Sequence, residues 1–233
     1  YDPAYLDSLP AVYEDEFLVV VDKPIGVVVH PTSARSTGTL VHGLVHRYPD
    51  IVGVGEDGRW GIVHRLDRDT SGVLVVARTA ESHAALGDAI ARRDVARDYV
   101  ALVRGSFDAT RGTIEAPIGR DRRNPTRMRV AHDGKHAVTH YRRLAHWADP
   151  DCTLLSVSLE TGRTHQIRVH LAAIDRPIVG DQAYGVTGGP ADAGRPWLHA
   201  RRLAFEHPIT SRPIVATAPL PSDLADSLAA IGD

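Results

Sequence analysis

The chain has almost no cysteine: Cys152 stands alone among 233 residues. A single thiol excludes an intrachain disulfide and a thiolate metal cluster, and it fits a reducing, cytoplasmic setting. Long apolar runs are missing too. Stretches such as 17–21 and 73–77 fall far short of the roughly 20 residues that cross a bilayer. No secretory signal is visible, so no membrane association is expected. Lysine is nearly absent, since Lys23 and Lys135 are the only two among 27 basic residues. Arginine therefore carries the positive charge, and its planar fork suits phosphates, base edges and aromatic faces. Charge of one sign is not in excess. A net charge of −2 argues against a protein that coats nucleic acid by bulk charge. Methionine occurs once, at Met128, and the chain opens at Tyr1. An upstream segment is therefore expected, with residues 1–12, aperiodic and holding two prolines, as a linker to it.

The rest is ordinary for a folded protein, with 43% hydrophobic and 24% charged residues. Residues 13–233 read as one compact domain. Five arginines, Arg120, Arg122, Arg123, Arg127 and Arg129, crowd one ten-residue stretch, and pairs occur at 92/93, 142/143 and 201/202. A general preference for arginine over lysine explains the pairs equally well. The dense stretch is the stronger candidate for gripping a polyanion.

Periodicity gives the elements. Strands are expected over 17–21, 27–31 and 98–103, and helices over 39–48 and 81–93. The second half is richer in strands: 113–118, 127–131, 137–144, 153–159, 201–205 and 213–218. One helix is expected at 164–174, with Thr164 or Thr161 capping its first turn, and another at 220–231. The fold class is α+β, a mostly antiparallel sheet with flanking helices.

The chemistry concentrates in three places. Residues 61–72 read GIVHRLDRDTSG, between apolar, strand-like flanks. A carboxylate set there among arginines can stay ionised and serve as nucleophile or base. The second place is Arg97, Asp98 and Tyr99 at the start of a strand. The third is 160–171, ETGRTHQIRVHL, a helix start loaded with polar groups. Each has a plain structural reading. Asp67 alone would be a turn residue, Tyr99 a half-buried strand aromatic and Arg168 a solvated helix position. His165 and His170, five apart, miss the spacing that puts two metal ligands on one helix face. A metal-dependent hydrolase, raised by thirteen histidines, finds no HExxH-like spacing.

Taken together, the three segments resemble the RluA-type pseudouridine synthases. The HRLD-x-x-TSG turn is matched by 64–72, a Tyr-containing strand start by 97–102, and the ETGRTHQIRVHL segment by 160–171. Further matches run from Tyr13, through Asp22, Lys23, Pro24 and the Val28–Pro31 stretch, to Gly180, Asp181, Tyr184 and the His207-Pro208 pair, covering about 11–222. The resemblance implies the fold of that catalytic domain, with a central cleft, preceded in many members by a small RNA-binding domain. It implies isomerisation of uridine to pseudouridine in structured RNA, without cofactor or metal, by a protein expected to be a monomer. The segments 117–120 and 137–141 look most like members acting on large-subunit ribosomal RNA. Transfer RNA, or RNA binding without catalysis, is the alternative.

By the same resemblance, Asp67 is the catalytic aspartate, adding covalently to the sugar or abstracting a sugar proton. Arg168 pairs with it, and Tyr99 packs on the uracil and serves the proton at carbon 5. Arg65 helps fill the space left by the flipped base. His64 and Thr70 hold the Asp67 turn, Arg163 and Gln166 belong to the substrate side, and Arg120, Arg122, Arg123 and Arg127 grip the RNA backbone.

Overall fold

The computed structural model describes residues 9–31, 37–185 and 187–232. It divides into two compact units, one formed by 1–97 with 200–219 and the other by 98–199 with 220–233. The linker expected over 1–12 lies mostly outside the described residues. Its last two positions already belong to a strand.

In the first unit, β1 (Ala11–Glu14) pairs antiparallel with β2 (Leu18–Lys23), and β2 with β3 (Ser71–Ala77), in a register running from Leu18 opposite Ala77 to Lys23 opposite Gly72. Next to β3 comes β10 (Leu198–Glu206), and β11 (Pro213–Thr217) pairs antiparallel with β10. All seven residues of β3 are buried, which its unbroken apolar run requires of a central strand. Leu18, Val20, Val73 and Val75 pack with Leu86, Phe205 and Ile214 into the core. Helix α1 is Leu40–Arg47 and α2 is Ala80–Arg92. Thr79 caps α2 by accepting the Ser82 N–H at 3.1 Å.

The run 27–31, expected as a strand, is none. The carbonyls of Val28 and Val29 accept the N–H groups of Leu40 and Val41 at 2.9 and 3.0 Å. They satisfy helix-start donors instead of a ladder, while Val27 and Val29 bury their side chains.

In the second unit, β4 (Ala96–Arg104) pairs with β9 (Asp151–Leu159), β9 with β8 (Val138–Ala148) and β8 with β5 (Arg111–Glu115), all antiparallel. The strand expected over 113–118 is interrupted at Ala116-Pro117. Beyond the break lies a separate hairpin, β6 (Ile118–Arg120) with β7 (Met128–Val130), which carries the dense arginines on its strands and loop. Helices α3 (Gln166–Ala173) and α4 (Ser222–Ala229) complete the unit. His170 ties α3 down, its Nδ1 at 2.9 Å from Thr139 Oγ1 and its Nε2 at 2.9 Å from the Ala116 carbonyl oxygen. Neither threonine caps α3. Its N-cap is His165, in the left-handed region at φ 56°.

Candidate active site

In the first unit the 64–72 turn is pinned from three sides. The Thr70 N–H bonds back to the Asp67 carbonyl at 3.2 Å and closes a tight turn around Arg68 and Asp69. His64 Nε2 accepts the Val75 N–H at 3.2 Å. The imidazole thus continues the hydrogen bonding of β3 where the neighbouring backbone has turned away; just before, the Ala77 N–H bonds to the Gly61 carbonyl at 2.8 Å. An acceptor nitrogen must be unprotonated, and the environment agrees: burial, then the charge of Arg97, pushes His64 down to about 3.

The third tie is Lys23, which stands in a matched motif but has no role implied by sequence. It is fully buried, and its Nζ donates to the carbonyls of Pro24 (2.7 Å), Val27 (3.0 Å) and Arg68 (3.1 Å). One ammonium therefore joins the end of β2, the turn after it and the residue next to Asp67.

Leu66 and Thr70 are buried, Asp67 is half-buried and Arg65 is exposed. Gly72 explains the end of the motif. At φ +118°, its absent Cβ would stand 2.1 Å from the Ala200 carbonyl oxygen, so only glycine lets β3 lie this close to β10. Beside the turn, His30 is buried, and its Nδ1 has no partner among the described residues. Burial, then the charges of Arg65 and Arg59, holds it down at about 4.

In the second unit, Tyr99 is buried on β4, directly opposite Val157. Arg168 grips Asp181 with a two-pronged fork, Nε to Oδ2 at 2.7 Å and Nη2 to Oδ1 at 2.9 Å. Asp181 is fully buried. Burial opposes its charge, but the bond and charge of Arg168 and the N–H groups of Ala183 and Tyr184 outweigh it, so the carboxyl sits below its usual range.

Tyr184 is the hub of this cluster. Its hydroxyl accepts the Met128 N–H at 2.7 Å and lies 2.7 Å from His165 Nδ1. The guanidiniums of Arg127 and Arg168 each lie 5.1 Å from its ring centroid, within cation–π range. Arg127 of the hairpin and Arg168 of α3 thus meet on one aromatic ring. Asp181 stands in the sequence as part of the 177–181 match with no role attached, and it gains one only once Arg168 is seen facing it.

Gln166, expected on the substrate side, is buried and spends its whole amide on the protein. Its Nε2 donates to the Val138 carbonyl and Thr139 Oγ1, and its Oε1 accepts from Thr161 Oγ1 and the Arg163 N–H. It holds the approach to α3 against β8. Arg163 is exposed and donates Nε to the His136 carbonyl at 3.0 Å. Arg120 at the end of β6 and Arg122 and Arg123 on the hairpin loop are exposed. Arg120 bonds the Pro125 carbonyl at 2.8 Å and Arg122 pairs with Asp133 at 2.8 Å.

Among the described residues, no helix is long and apolar enough to cross a membrane, and no three His, Cys, Asp or Glu side chains group as metal ligands.

Comparison with known proteins gives the family. The family described as RNA pseudouridylate synthase matches residues 17–173. The "Uncharacterized RNA pseudouridine synthase YlyB" of Bacillus subtilis (strain 168) is 45% identical over 219 residues, covering 94% of this chain and 71% of that protein. The "Ribosomal large subunit pseudouridine synthase D" of Xanthomonas campestris pv. campestris is 45% identical over 235 residues, covering 96% of this chain and 69% of that one. Among solved structures, "Human RNA Pseudouridylate Synthase Domain Containing 1" superposes with a TM-score of 0.72 at 28% identity, over 95% of this chain and 87% of its own. A match through both units, at this identity and with this backbone, has one reading: the chain belongs to the RNA pseudouridylate synthase family.

Proposed function

We propose that this chain isomerises specific uridines of large-subunit ribosomal RNA to pseudouridine, with Asp67 as the catalytic carboxylate. The observation that carries the reading is the Asp67 turn, closed by Thr70 and tied down by His64 and Lys23. A carboxylate on so constrained a turn is held ready for one geometry. Family membership supplies the reaction, and relatives named ribosomal large subunit pseudouridine synthase D support the ribosomal substrate.

The reaction breaks the bond from ribose to uracil N1, turns the detached base and forms a new bond from the same sugar carbon to carbon 5. The proton on carbon 5 leaves and N1 gains one. Nothing is oxidised and no group goes elsewhere, so the chemistry calls for no cofactor. Asp67 acts at the sugar, as nucleophile or as base. Arg168, the residue that the resemblance pairs with Asp67, is itself oriented by Asp181. Tyr99 packs on the uracil and serves the carbon 5 proton. Unstacking the target costs a few kcal/mol, offset by Arg65 in the vacated space and by the hairpin arginines on the backbone. The single buried thiol suits work in a reducing cytoplasm.

Chemical mapping of pseudouridine on transcripts incubated with the protein tests the substrate. Modification at discrete uridines of large-subunit ribosomal RNA is expected. Modification confined to transfer RNA overturns the ribosomal assignment, and none on either overturns the synthase reading.

A further inference from the structure

The second unit carries an open cavity of about 320 Å³, lined by residues of β4, β5, β8 and β9, that the proposed chemistry does not use. Strand register decides what stands in it. Thr113 lies directly opposite His140, His140 opposite Ser158, and Ser158 opposite Asp98. Two residues along each strand, Arg111 lies opposite Arg142, and Arg142 opposite Ser156. Paired residues share a face and side chains alternate along a strand. Both rows therefore stand on one surface, and Tyr99 and Val157 on the other.

The first row is locked. His140 Nε2 is 2.7 Å from Glu160 Oε1, and its Nδ1 is 2.8 Å from Thr113 Oγ1. A carboxylate only accepts, so Nε2 donates that bond, and Thr113 Oγ1 makes the second polar contact of the ring. The wall of the cavity is thus built in one conformation.

The second row is unbalanced. Like charges directly opposite across a strand pair destabilise a sheet. Both arginines are exposed, and neither forms an ion pair with a described residue. An anion seated between them turns that repulsion into two charge-assisted contacts. The planar forks favour a phosphate, and the hydroxyls of Ser156 and Ser158 beside them add donors. The size suits one nucleotide, while a free small molecule is commonly enclosed over most of its surface. This hollow is open, as a passing strand requires.

We propose that this face is a second RNA contact, in which Arg111 and Arg142 hold a backbone phosphate of the substrate outside the reacting nucleotide. The proposal rests on RNA being the substrate.

The test is the affinity of the full chain for a labelled ribosomal RNA transcript across a salt series, compared with Arg111→Ser, Arg142→Ser and the double variant. Loss of one phosphate contact should reduce the salt slope by about one and weaken binding about tenfold at low salt. Turnover at saturating RNA should be unchanged. The thermal midpoint should hold or rise, because a like-charge pair has been removed, which separates the effect from misfolding. Unchanged affinity and slope in the double variant overturn the proposal. So does saturable binding of uridine 5′-monophosphate that the double variant loses while its RNA affinity stays intact, since the ligand is then a free nucleotide. Binding is read without catalysis, so failure of the synthase reading would show separately, as wild-type RNA binding without turnover.

Discussion

Lys23 shows how much one buried side chain can organise. Its ammonium serves three carbonyls, and an unsatisfied buried acceptor costs about 1–3 kcal/mol. Lys23→Met should therefore lower stability by about 3 kcal/mol in urea unfolding. It should also reduce kcat more than it raises KM, because the turn after Asp67 slackens. A change in KM alone would remove Lys23 from the positioning of Asp67. His64 and His30 make a pH prediction. Their folded values, about 3 and about 4, lie below the unfolded value of about 6.5. The unfolded chain then binds more protons, so their contribution is complete above pH 6.5 and is lost as pH falls towards the folded values. Each ring adds a slope of up to about 1.4 kcal/mol per pH unit in that window. Asp181, also depressed, adds to the loss only below the ordinary carboxylate range. Urea unfolding between pH 4.5 and 7.5 should show the slope, and His64→Gln, which keeps an acceptor for Val75 and does not titrate, should flatten it. An unchanged slope in that variant contradicts the assignment. At this scale the sequence exposes the polar turn around Asp67, because its motif is local. It hides the roles of Lys23 and Asp181, whose ties to Arg68 and Arg168 span 45 and 13 residues.

Elements repeat the contrast. The strands of the core are legible wherever apolar β-branched runs meet turn residues, as at 73–77 and 153–159. The run 27–31 has the same composition, yet its Val28 and Val29 carbonyls accept the first N–H groups of α1, a use that depends on where α1 begins. The break between β5 and β6 could be expected from Pro117, which cannot donate to a ladder. The start of α3 could not, since His165 takes a backbone conformation that histidine seldom adopts. Gly72→Ala tests the close approach of β3 to β10. A methyl 2.1 Å from the Ala200 oxygen must push the strands apart, on top of the positive φ, and stability should fall by about 3 kcal/mol or more. A thermal midpoint equal to wild type would show that the strands need not lie so close. For the β6–β7 loop, Arg123→Ala should weaken RNA binding uniformly across sequences and lower the salt slope by about one, with kcat intact at saturation. A sequence-selective loss would instead mean that Arg123 reads bases.

For the whole molecule, the division into two units has no linker to announce it. The chain passes between them at 97/98, 199/200 and 219/220, the first two inside the strands β4 and β10. Long-range contacts make that division, and local patterning does not record it. Family membership is legible because long ordered motifs fall in both units, Asp67 in the first and Tyr99 and Arg168 in the second. The proposed reaction turns on Asp67. Tritium release from large-subunit ribosomal RNA labelled at uridine carbon 5 reads its reaction directly, for wild type against Asp67→Asn, with RNA affinity measured in parallel. Release by the wild type, none by the variant and equal RNA affinity is the expected result. Equal release by both proteins would contradict the role given to Asp67.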